Sequence, residues 1–121
     1  MREVNIGSQR YTKVLATDKP GHGGACHEYT VQTVAQTDED IEYSVGTVSF
    51  QNGPIKEHGV NGCHQEDLIA IVLDRLQSFQ QGEYACRENA LAITKLEEAL
   101  HWLNHRTNQR IARGVEGTNA K

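Results

Sequence analysis

The chain has 121 residues, a formal net charge of −4 and an isoelectric point near 5.8; this is room for one domain with a real core and too little for two independent ones. No apolar run reaches membrane-spanning length and the opening MREVNIGSQRYTK lacks the apolar region of a secretory signal, so a soluble, cytoplasmic protein with no membrane partner is expected. The acidic balance argues against a polymeric nucleic acid as partner, and three widely spaced cysteines, Cys26, Cys63 and Cys86, fit free thiols in a reducing compartment better than a disulfide framework.

Residues 2 to 10 show no period and read as a mobile lead-in. Tyr11 to Ala16 has the makings of a short strand, followed by the glycine-rich turn DKPGHGGA, Asp18 to Ala25. No Lys-Ser or Lys-Thr follows these glycines and the next residues look like a strand, which argues against an ATP-binding P-loop. Tyr29, Val31, Thr33 and Ala35 alternate with Glu28, Thr30, Gln32 and Val34; Tyr43, Val45 and Thr47 alternate with Ser44, Gly46 and Val48. Such alternation marks two strands, with Thr37-Asp38-Glu39-Asp40 as the turn between them. A further reversal at Gln51-Asn52-Gly53-Pro54 leads to a short segment near Ile55 to Val60, and Gly59 to Gly62 relaxes the chain. Residues 11 to 62 thus form a β-rich portion, an antiparallel sheet of three or four strands.

Residues 63 to 113 read as a helical hairpin. Leu68, Ile71, Val72, Leu76 and Phe79 recur at helical spacing between Gln65 and Gln81, and Gly82 supplies the stop. After the link Gly82-Glu83-Tyr84-Ala85 comes one long helix, Arg87 to Arg113, whose Ile93, Leu96, Leu100 and Leu103 form a narrow stripe continued by Thr107 and Ile111. At about 1.5 Å per residue the helices measure roughly 25 and 40 Å, so the second overhangs the first from about Leu103, and another surface should cover it. The tail, residues 114 to 121, is expected to be disordered unless docked.

Few groups here carry reactive chemistry. The pairs Cys26-His27 and Cys63-His64, with His58 nearby, lack the spacing of a zinc site, and no metal or cofactor is expected. His105-Arg106-Thr107 matches the H-x-T pattern of phosphoesterases that open cyclic phosphates, but those enzymes need two such elements, for acid and base. Glu97 and Glu98 are adjacent on a helix and face apart. Arg106, Arg110 and Arg113 fall within about 60° of one another on the long helix, either as a solvated basic face or as a site for an anion.

RENALAITKLEEALHWLNHRT, followed by RIARGVEGT, resembles the C-terminal helical hairpin shared by two groups of phage anti-defence proteins: the first type of Thoeris anti-defence protein and the second type of anti-CBASS protein. DKPGHGGACHEY and FQNGPIKEHGVNG are similar to the Thoeris group, which adds a β-rich portion. The resemblance runs from about Asp18 to Thr118 and implies an α+β fold, a small N-terminal antiparallel sheet followed by an antiparallel helical hairpin with a long second helix. It also implies a sponge in the infected bacterial host, one that holds a cyclic nucleotide signal without cleaving it. That signal would be glyco-cyclic ADP-ribose, with cyclic trinucleotides at separate sites in a hexamer. On this footing Phe79 stacks on adenine, Asn89 hydrogen-bonds the ligand, and Arg106 and Arg110, beside Arg113, hold the diphosphate. Phe79 as plain core and Asn89 as a helix cap are the alternatives. For the trinucleotide, Gly59 and Arg75 are the candidates; Trp102, off the apolar stripe, is interface or ligand shelf.

Asn89 and Arg106 lie 17 positions apart on one helix, roughly 25 Å, whereas the ligand spans about 10 Å, so one chain cannot grip it with both. An antiparallel homodimer with two equivalent pockets solves this by symmetry, and three such dimers would make the hexamer. The competing reading is a phosphodiesterase acting on the same signals.

Overall fold

The computed structural model describes residues Met1 to Lys121 and divides into two compact units, Met1–Cys63 and His64–Lys121. The class is α+β, a four-stranded antiparallel sheet followed by helices with a long last one.

In the first unit the strands run in sequence order as a meander: β1 (Arg2–Val4), β2 (Thr12–Ala16), β3 (Glu28–Thr33) and β4 (Ser44–Ser49). β2 pairs with β3 through Val14 opposite Val31. β3 pairs with β4 through Tyr29 opposite Val48, with an irregularity at Val31/Gln32. The expected lead-in is partly a strand: Arg2 to Val4 pairs with Ala16 to Val14 and forms one sheet edge. Three residues are too few to display a period, and the pairing is carried by backbone groups rather than by an apolar pattern. The segment after Pro54 is one helical turn, α1 (Ile55–His58), closed by Gly59 at φ 69°. Past it the chain returns along the sheet end, where Cys63 bridges Phe50 in parallel. The backbones touch so closely there that a Cβ on Gly62 would lie 2.4 Å from the Phe50 carbonyl carbon.

Asp18 organises the glycine-rich turn. Its carboxylate accepts from the His27 and Glu28 amides at 2.9 and 3.2 Å. The His27 amide, more than any other group, holds that carboxyl below its ordinary range. Cys26 Sγ bonds the Asp18 carbonyl and His27 Nε2 meets the His22 carbonyl at 3.0 Å; both are spent on local structure.

The second unit is the hairpin of α2 (Gln65–Gln80) and α3 (Arg87–Ala112). The α3 stripe Ile93, Leu96, Leu100, Leu103 and Thr107 is drawn out of solvent as expected, but the next inward position is Arg110, with Ile111 exposed. Of the expected α2 stripe Leu68, Leu76 and Phe79 are drawn out of solvent, together with Ile69 and Leu73, whereas Ile71 and Val72 are 65% and 45% exposed. α2 carries apolar residues on more than one side, so its period matches two stripes and only the packing against α3 selects one. Gly82 is no left-handed cap: α2 ends on Gln81 in right-handed geometry, with the Gly82 amide donating to the Phe79 carbonyl at 3.1 Å.

A candidate ligand site at the hairpin end

Four residues at the turn of the hairpin line a shallow, open hollow of about 410 Å³: Leu76 and Phe79 from the end of α2, Tyr84 from the link and Asn89 from the first turn of α3. The size is within the usual range for small-molecule sites. Gln80 sets the link in place with a two-way clamp on Cys86, accepting from its amide at 2.9 Å and donating to its carbonyl at 3.1 Å. Cys86 in turn is the N-cap of α3, its Sγ accepting from the Asn89 amide at 3.4 Å. The cap is therefore the cysteine, and the Asn89 side chain is left to donate one bond, from Nδ2 to the Tyr84 carbonyl at 3.3 Å. Its Oδ1 remains open to a donor on a ligand.

Phe79 and Tyr84 meet at right angles, centroids 6.2 Å apart and planes at 84°, the edge-to-face arrangement that aromatic quadrupoles favour. The Arg75 guanidinium lies over the Phe79 ring, 5.3 Å from its centroid. The hollow is thus an aromatic corner with one amide, a combination suited to a flat heterocycle. Tyr84 escaped the reading of the sequence because a lone tyrosine in a four-residue link has no period; the signal was its position five residues from both Phe79 and Asn89. Arg75, expected at a separate trinucleotide site, stands against Phe79. Gly59, the other residue expected there, belongs to the first unit, where its carbonyl accepts from Gln51 Nε2 at 2.8 Å.

The three arginines at the far end of α3 have different fates. Arg106 is exposed and belongs to none of the chain's ion pairs. Arg113 donates to the Lys121 carbonyl. Arg110 is only 7% exposed. Its Nε donates to Glu116 Oε2 at 3.1 Å, its Nη2 to the Val115 and Thr118 carbonyls at 3.0 and 3.2 Å, and its Nη1 to the Ala120 carbonyl. The tail expected to be loose is folded back on this side chain, with Gly114 at φ 72° turning it. Ahead of these arginines, Trp102 is two-thirds exposed in a ring cluster with His101 and His105. His105 faces outward in that cluster while Thr107 turns toward the half-buried side, so the two ends of the H-x-T pattern diverge.

A larger hollow, about 620 Å³, opens in the first unit between Tyr11 and Tyr43. Its lining includes Glu39 and Asp40 and no basic group, which disfavours an anionic ligand.

Residues 44–108, more than half of the chain, match the family profile described as "Acb2/Tad1, hairpin domain". Over 101 residues, 84% of this chain, the sequence is 55% identical to a protein of Bacillus phage SBSphiJ7 named "Thoeris anti-defense 1". The matched stretch spans 66% of that relative's length.

Proposed function

The chain belongs to the Acb2/Tad1 hairpin-domain family, and from that premise we propose that it is a phage anti-defence sponge, which binds a cyclic nucleotide immune signal of the glyco-cyclic ADP-ribose type and withholds it intact. The observation that carries this reading is the meeting of Phe79 of α2 and Asn89 of α3 in one hollow, with the arginine end of α3 about 25 Å away along that helix. Adenine stacks on Phe79, Asn89 hydrogen-bonds the ligand, and Arg106 of a second copy closes on the diphosphate. An aromatic platform contributes about 1–3 kcal/mol per base and arginine forks pair bidentately with phosphate oxygens, so tight binding needs no reactive group. Arg110 and Arg113 reach the same phosphates only by exchanging tail carbonyls for phosphate oxygens.

The assembly is at least a dimer, built as antiparallel copies so that each hairpin end faces the other's arginines; three dimers give the hexamer. No helix is long and apolar enough to cross a membrane; the signal is met in the cytoplasm of the infected host.

The test is to incubate protein with glyco-cyclic ADP-ribose, denature it and analyse the small molecule. Full recovery of intact ligand, released only on denaturation, supports the sponge; an opened or cleaved product identifies an esterase. Arg106→Ala is expected to weaken binding by about ten-fold or more while leaving the oligomer intact, and unchanged affinity would remove Arg106 from the site.

A further inference from the structure

We propose that His101 and His105 form a two-imidazole site for a transition-metal ion of the Zn²⁺, Ni²⁺ or Cu²⁺ class, on the face of α3 opposite its apolar stripe. The two residues stand four apart in the interior of α3, so their side chains lie one above the other. Their rings are nearly parallel, with planes 19° apart and centroids at 6.4 Å. Both are exposed, and neither imidazole takes part in a hydrogen bond or ion pair of the chain. Each ring therefore has a nitrogen lone pair to give, and turning the two together breaks no existing bond. An ion held about 2.0–2.1 Å from each nitrogen in tetrahedral geometry sets those nitrogens about 3.4 Å apart, within reach of exposed rings at this spacing. Two histidines four residues apart on one helical face are the pair that helical zinc sites use, and imidazole suits zinc, nickel and copper where magnesium demands oxygen. Glu97, one turn before His101 on the same face, has no ion-pair partner in the chain and adds negative charge beside the site. No third side chain completes a metal cluster, so water fills the remaining positions. Arg106 lies about 100° further round the helix than His105, which separates this site from the arginines proposed for the phosphates.

The chain's single tryptophan reports on the site, because Trp102 stands edge-on to both imidazoles, with centroids at 5.5 and 5.8 Å. Full-length protein is titrated with the chlorides of Cu²⁺, Ni²⁺, Zn²⁺ and Mg²⁺ while its fluorescence and its melting temperature are read. Cu²⁺ and Ni²⁺ should quench Trp102, Cu²⁺ at the lower concentration; Zn²⁺ should displace Ni²⁺ and restore the emission in part, and Mg²⁺ should do nothing. Zn²⁺ should also raise the melting temperature, because an ion that binds only the folded helix stabilises it. His101→Gln and His105→Gln change exposed side chains and leave the helix intact. Each should weaken binding by about ten-fold or more, since the second imidazole binds an ion already held by the first, and each should abolish the Zn²⁺-dependent rise in melting temperature. Unchanged metal affinity in either variant would overturn the proposal. So would metal uptake seen by calorimetry with Trp102 left unquenched by Cu²⁺, which would place the ion at other histidines or at the cysteines of the chain.

Discussion

A guanidinium drawn out of water must find acceptors for its N–H groups, and Arg110 finds them in a carboxylate and three carbonyls of the six residues that follow Gly114. The partners are mostly neutral, so the stabilisation comes from hydrogen bonds to a charged donor in a half-dry site rather than from the half-exposed Glu116 alone. Arg110→Ala should therefore release the tail and lower stability by about 1–3 kcal/mol, a drop of several degrees in melting temperature. Glu116→Gln should cost less than about 1 kcal/mol. Limited proteolysis reads the same event: cleavage after Arg113 should accelerate in Arg110→Ala, and an unchanged rate there together with an unchanged melting temperature would contradict the docking of the tail. Sequence reasoning placed Arg110 on a basic face because arginine is usually solvated. Its acceptors are backbone carbonyls, which every residue owns and no sequence pattern marks.

At the scale of the elements, the hairpin between β3 and β4 is tied by acids that titrate. Asp40 accepts from the Gln36 and Thr37 amides at 2.7 and 3.1 Å. Glu42 accepts from the Ala35 amide at 3.0 Å and from Lys13 Nζ at 3.1 Å. These bonds hold both carboxyls below their ordinary values, the amides of Gln36 and Ala35 acting most strongly, and Asp18 behaves alike. A carboxylate whose folded-state pKa is depressed binds a proton less readily folded than unfolded. Its contribution is present above the ordinary value, 3.8 for the aspartates and 4.5 for Glu42, and is lost as pH falls through the depressed one. The sheet should therefore weaken on acidification below about pH 4.5, and Asp18→Asn or Asp40→Asn should blunt that acid sensitivity in circular-dichroism titrations. An acid transition identical in all three proteins would contradict the assignment.

The same scale shows why some elements were legible and others were not. β2, β3 and β4 announce themselves by alternation, and α3 by a stripe at 3.6-residue spacing; these signals come from burial on one face, which composition records. β1 and α1 are held by backbone pairing and by a single turn closed at Gly59, and α2 offers two apolar stripes of which tertiary contact uses one. Of the site, Phe79 and Asn89 were legible through family likeness. Tyr84 and the placement of Arg75 over the ring depend on how the link folds.

The whole molecule buries little. Leu15, Ala16, Cys26 and Leu73 are its buried hydrophobic residues, no large side chain is completely enclosed, and Ile71, Val72, Leu91, Trp102 and Ile111 remain exposed. Apolar surface of that kind on a two-helix hairpin calls for a partner, and in the proposed dimer a second copy would cover it while bringing Arg106 to the opposite Phe79. Ile71→Asp should thus shift the protein toward monomer in light scattering and weaken ligand binding by more than ten-fold with helicity unchanged. A monomeric variant that binds as the wild type does would contradict the shared pocket. The most direct measurement mixes two defective proteins, Phe79→Ala and Arg106→Ala, refolded together and titrated with glyco-cyclic ADP-ribose. In a mixed dimer one pocket carries both defects and the other carries neither, so the mixture should recover about a quarter of the wild-type sites at wild-type affinity. If the mixture binds no better than the two parents measured apart, the pocket is not built from two copies.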